Sequence, residues 1–138
     1  MASWSCPQCG RRFGRANQSH ECEPSLGLEQ YLERQPAAHR SIYRKVLRAL
    51  ARLGELDVDP VNVGIMIKHP RTFCELRPKR DGVELSFKLS RPLSSARFAR
   101  VIAYSAQRTA YCVRLRTASD VDLELLAWLT EAYAESAG

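Results

Sequence analysis

The sequence has no long hydrophobic run. Its longest, VGIMI at residues 63–67, is far short of the ~20 apolar residues that cross a bilayer, so neither a membrane-spanning helix nor a membrane partner is expected. The first residues lack a charged lead followed by an apolar stretch, so no secretion signal is read there. The expected compartment is the cytoplasm, where thiols stay reduced. No glycine-rich phosphate loop occurs, and His39 and His69 have no partner at a diagnostic spacing, so both are expected at the surface. Aromatics make up only 8% of the chain, which limits any base-stacking surface. Acid is scarce between residues 61 and 116, where three acids face twelve bases, and bases are missing from 117–138, which carry five acids. The net charge of +6 is therefore unevenly distributed, as befits either an anionic partner or an Arg-rich composition.

Cysteine is present in quantity only at the start. Three of the five stand within the first 22 residues, in CPQCGRRFGRANQSHEC, spaced C-x2-C-x10-H-x-C. Two thiolates two residues apart in a tight turn can take two corners of a tetrahedron, and Gly10 lets the backbone double back after Cys9. His20 and Cys22 supply the other corners. The expected cofactor is Zn2+, held by Cys6, Cys9, His20 and Cys22. Four protein ligands close the site, which makes it structural, and structural zinc contributes ~10–16 kcal/mol of apparent folding free energy. A disulfide disagrees with the compartment, and a redox Cys-x-x-Cys normally opens a helix in a larger fold. A helix-borne DNA-reading finger is also disfavoured. His20 and Cys22 are about 200° apart around a helix and cannot both face one ion from it. Trp4 and Phe13 are expected to form the small core of this knuckle or its dock.

Pro24 and Ser25 mark the boundary between a knuckle at 1–24 and a domain at 25–138. SLGLEQYLER reads as a short helix started by Ser25. A second helix is expected at about 37–53, with Ile42, Val46, Ala49, Leu50 and Leu53 on one stripe and Gly54 as its stop. The period then falls to two. VNVGIMIK at 61–68 reads as one strand, RTFCELRP as a second ended by Pro78, KRDG as a turn, and VELSFKL as the clearest strand. ARVIAYS and TAYCVRLR pair across AQR, although a helix at 94–105 also fits. A last helix is expected at about 120–135, capped by Ser119. The fold class is α+β: a mainly antiparallel sheet of about five strands with helices packed on one face, preceded by the zinc knuckle.

If Val83, Leu85, Phe87, Val113 and Leu115 face the helices, the opposite face gathers Lys68, Lys88, Arg114 and Arg116. Arg77, Lys79 and Arg80 extend it. The strand at 72–77 presents either Phe73, Glu75 and Arg77 to solvent or Thr72, Cys74 and Leu76. The first choice would add an aromatic to a basic platform for nucleic acid. Lys68, Arg77, Lys79, Arg80, Lys88, Arg114 and Arg116 are thus the candidate nucleic-acid or anion contacts. DGVELSFK has the Asp, Glu, Lys order of restriction-type nucleases, but those place Glu and Lys two apart, and residue 86 is Ser. No catalytic residue is assigned. The expectation is a non-enzymatic binding protein for nucleic acid, with a protein-interaction adaptor as the alternative and a binder or enzyme for a small anion third. The oligomeric state has no sequence signature.

Four stretches, DPVNVGIMIKHPRTFCELRP, GVELSFKLSRPL, RTAYCVRLR and DVDLELLAWLTEAY, make residues from about 40 to 135 resemble a family of bacterial domains of unknown function. Relatives of that family stand behind predicted nuclease domains or are labelled predicted transport proteins. A version with a leading Cys/His knuckle resembles this chain over nearly its whole length. The resemblance implies an α+β fold with no established reaction and no agreed catalytic residues. It also implies, by association, a nucleic-acid context.

Overall fold

A computed structural model of the chain describes residues 4–7, 12–18, 27–61 and 63–137. Strands β1 (Trp4–Ser5) and β2 (Arg12–Phe13) form a small antiparallel hairpin. Helices α1 (Leu28–Glu33) and α2 (Ala37–Ala51) follow. Six strands come next: β3 (Asp57–Val61), β4 (Gly64–Lys68), β5 (Thr72–Lys79), β6 (Gly82–Leu89), β7 (Phe98–Ser105) and β8 (Arg108–Leu115). A 3-10 turn at Ala118–Asp120 leads into α3 (Leu123–Ser136). The six strands make one sheet in the order β3-β4-β5-β6-β8-β7, every neighbouring pair antiparallel. No helix among the described residues is long and apolar enough to cross a membrane.

Alternation along β6 puts Val83, Leu85, Phe87 and Leu89 on the face that the helices cover. The apolar stripe of α2, with Ile42, Val46 and Leu50, and that of α3, with Leu125, Leu129 and Ala132, close over it. Phe87 is fully buried, with ring centroids 5.6 Å from Tyr111, 5.6 Å from Trp128 and 6.2 Å from Phe98. Tyr31 and Tyr43 meet edge to face beside this core, their hydroxyls 3.2 Å apart.

The sheet has one strand more than the five expected, because the segment expected as a single strand at 61–68 is the second half of a hairpin. Asp57–Val61 pairs with Gly64–Lys68, and Val63 is exposed in the turn rather than facing the core. Gly64 decides the geometry. Its φ is +155°, and a Cβ there would lie 2.1 Å from the Leu76 carbonyl oxygen, so only glycine fits. Pro60 is tolerated because β3 is an edge strand. Pro78 lies within β5 rather than ending it. Beyond Leu76, β5 has β6 as its only neighbour, so the missing N–H removes no bond to β4.

Helix α3 starts at Leu123 rather than near 120, and Ser119 is not its cap. Asp122 takes that role, its carboxylate accepting from the Leu125 amide at 3.0 Å. Asp120 instead closes a capping box with Thr117 around the 3-10 turn. Val121 is held in the core between the two. Residues 98–105 form a strand, hairpinned to β8. The expected start at Ser25 lies outside the described residues, and α1 opens after Gly27.

Candidate nucleic-acid interface

The face of the sheet away from α2 and α3 is built by the other parity of each strand. Cross-strand register sets Glu75 beside Ser86, Arg77 beside Glu84, Glu84 beside Arg114, and Arg100 beside Cys112. Glu84 lies at the centre, only 5% exposed, and accepts from Arg100 at 2.7 Å with Arg114 at 3.5 Å. Burial pushes its carboxyl upward, but the Arg100 hydrogen bond and charge, together with Lys79 and Arg114, outweigh that. Its pKa ends below the ordinary 4.5. Stability from this carboxylate is therefore present above pH 4.5 and is lost as pH falls below it. Glu84→Gln should cost about 1–2 kcal/mol at pH 7, less than a fully buried pair because the arginines can return to water. It should also flatten the acid limb of a stability-against-pH profile. Urea midpoints across the acid range measure both.

Phe73 does not join this face. Ile67 pairs with Cys74 and Lys68 with Thr72, so Phe73 is an extra residue in a β-bulge, and the bulge turns its ring into the core against Tyr133 at 5.6 Å. The stacking residue of the basic platform is thereby removed. Four of the seven expected contacts are engaged by carboxylates. Lys68 is buried, bonded to the Arg12 carbonyl at 3.1 Å and Asp59 at 3.5 Å, with Phe13 below it at 4.3 Å. Arg77 meets Glu75, and Arg114 and Arg116 share Asp81. The Arg114 hydrogen bond, then that of Arg116, holds the Asp81 carboxyl below its usual range. Lys88 stands apart near the far end of β6, its ammonium 4.8 Å from the Tyr104 ring. Lys79, the last residue of β5, and Arg80, in the turn after it, make no ion pair among the described residues.

Sequence reasoning missed the basic run along α2. Buried His39 in the first turn of α2, expected at the surface, donates from Nε2 to the Lys79 carbonyl at 2.7 Å, and Lys45 donates to the Ala118 carbonyl at 2.9 Å. These bonds fix α2 against the 79–81 turn and the 3-10 turn. From Arg34 to Gly54 the chain has six bases and no acid. Arg44, Arg48 and Arg52 recur every fourth residue, at about 6 Å steps along the axis. Arg44 is paired with Glu29 at 3.1 Å, across from α1. Arg48 and Arg52 are exposed and make no side-chain hydrogen bond or ion pair among the described residues. The signal was available in a shorter charge window; the 25–60 segment as a whole is near neutral because its acids lie outside the helix.

Of the expected zinc ligands, Cys9, His20 and Cys22 lie outside the described residues. Cys6 is a buried thiol immediately after β1. Among the described residues no group of three or more His, Cys, Asp or Glu could hold a metal ion.

One antiparallel sheet with α2 and α3 on a single face defines an α+β domain. The chain belongs to the domain of unknown function family DUF5655, whose family model matches residues 28–136. The match begins at the first residue of α1 and ends at the last of α3, so it covers the main sheet and all three helices but not the β1–β2 hairpin. No curated protein and no solved structure matches the chain.

Proposed function

We propose that this is a non-enzymatic binding protein that holds nucleic acid through its phosphates. The observation that carries the reading is the acid-free stretch from Arg34 to Gly54, in which exposed Arg48 and Arg52 continue the line of Arg44 along α2 and one residue beyond it. Such a surface supplies counterion release without base readout. A labelled single-stranded oligonucleotide should bind in low salt and weaken by about 50-fold or more between 50 and 200 mM salt, as four to five phosphate contacts imply. Anisotropy that is flat across that range would refute it.

The N-terminal hairpin is read as a zinc knuckle with Cys6, Cys9, His20 and Cys22 as ligands. A hairpin of two residues per strand, with the Trp4 and Phe13 ring centroids 6.0 Å apart, is too small to fold by itself. Purified protein should carry about one zinc per chain by elemental analysis. Chelation should release it and disorder the hairpin, while the main sheet keeps its unfolding transition.

A protein partner is the second reading, favoured by β7. This edge strand has no acid and no proline, and it exposes Val101 (56%) and Tyr104 (60%). A partner captured there would survive nuclease treatment in a pull-down.

A further inference from the structure

We propose that the cleft between the β1–β2 hairpin and the far end of the sheet is a separate binding site for a phosphate monoester, gripped by Lys88 and Arg108. The cleft measures about 1030 Å³ and is lined by Phe13, Arg15, Lys68, Arg71, Lys88 and Arg108 among others, with no carboxylate among the described residues of its wall. A smaller cavity of about 270 Å³ shares Arg71, Lys88 and Arg108 with it and adds Ser90, Gln107 and Glu135.

The register explains why these cations converge. Lys88 pairs with Ala110, and Arg108 stands two residues earlier on β8, on the same face of the sheet, so the two are diagonal neighbours. Two other cations in the cleft already have partners. Lys68 is bonded beneath the hairpin, and Arg71 donates to the Ser136 carbonyl at the end of α3 at 3.4 Å. Both oxygens of Glu135, the acid in the wall of the smaller cavity, accept from the Ser90 amide at 3.0 and 3.3 Å. Arg108 makes no side-chain hydrogen bond or ion pair among the described residues, and Lys88 has the Tyr104 ring alone.

The cost of this crowding shows in both groups. Burial, then the charge of Arg71, lowers the basicity of Arg108. Burial and the charge of Arg108 lower that of Lys88 against the pull of Glu75. A dianion between them would relieve the repulsion and replace lost hydration with charge-assisted hydrogen bonds. The Ser90 and Gln107 side chains at the rim add neutral donors. The volume suits a nucleotide-sized ligand rather than a bare ion. Two sources offer this chemistry: a free phosphoester metabolite and the terminal phosphate of a nucleic-acid strand.

The site lies at the opposite end of β6 from the 79–81 turn and does not depend on the α2 reading. Isothermal titration of the full chain with adenosine 5′-monophosphate, against adenosine, tests it. The monophosphate should bind at least tenfold more tightly than the nucleoside. Arg108→Gln and Lys88→Gln should each lose tenfold or more. Arg48→Glu/Arg52→Glu should bind the monophosphate as the native chain does. A preference of the native chain for a 5′-phosphorylated oligonucleotide over its 5′-hydroxyl twin identifies the strand end as the source, and equal binding of the two identifies the free phosphoester. Equal affinity for adenosine and its monophosphate, or undiminished binding in a folded Arg108→Gln chain, overturns the proposal.

Discussion

Arg48→Glu combined with Arg52→Glu is expected to weaken oligonucleotide binding at least 100-fold at low salt while leaving the fold intact. Both side chains are exposed and make no contact that the fold needs, so their replacement falls among the surface changes that shift stability by only about 0.5 kcal/mol. The binding loss is larger because each reversal removes a phosphate contact and also puts a negative charge where a phosphate would lie. The acid at position 48 stands three and four residues from Lys45 and Arg44, where helical pairs gain a few tenths of a kcal/mol, which offsets the like-charge repulsion between the acids at 48 and 52. Circular dichroism checks the fold and anisotropy checks the binding. A reversed chain that binds as well as the native one would move the interface elsewhere.

Phe87→Ala carries the largest expected stability loss. The ring is fully buried at the centre of the sheet, within reach of Phe98, Tyr111 and Trp128, and β6 is tied on both sides to β5 and β8. No neighbour can collapse into the space without giving up one of those ring contacts. The cost should be about 3–5 kcal/mol, a large part of the ~5–15 kcal/mol that stabilises a domain of this size. In chemical denaturation the midpoint should fall with little change in slope. A loss below about 1 kcal/mol would mean that Phe87 is not the keystone of the core.

The sheet's interior was legible because burial on one face imposes a strict period of two. VELSFKL and TAYCVRLR announce it, and their pairing follows from the hairpins around them. The places that differed are those where one residue breaks the period. Gly64 turns VNVGIMIK into the second half of a hairpin, and the bulge at Phe73 decides the open choice at 72–77 by turning that ring inward while Glu75 and Arg77 stay on the other face. Neither a positive φ nor a bulge leaves a hydrophobic pattern to read. At the start of α3 three candidate caps, Ser119, Asp120 and Asp122, stand within four residues, and only the position of Val121 in the core selects among them.

The candidate surface was legible in kind but not in place. Counting charge in long blocks pointed to residues 61–116, yet ion pairs along β5, across strands and from the 79–81 turn set Glu75, Glu84 and Asp81 against Arg77, Arg100, Arg114 and Arg116. Three well-placed acids thus occupy most of the sheet's arginines. The cations left over are those whose neighbours in space are not acids, and that is a property of register, not of composition. Arg108 and Lys88 illustrate it: twenty residues apart in the chain, diagonal on the sheet.

The salt dependence of oligonucleotide binding, compared between the native chain and Arg48→Glu/Arg52→Glu, tests the central claim most directly. The native chain should give a linear fall of log K with log salt at a slope of about −3. The reversed chain should bind more weakly with a slope shallower by at least 1.4, about 0.7 for each phosphate contact removed from a single strand. Identical slopes in the two chains would contradict the assignment of α2 as the surface that meets the phosphates.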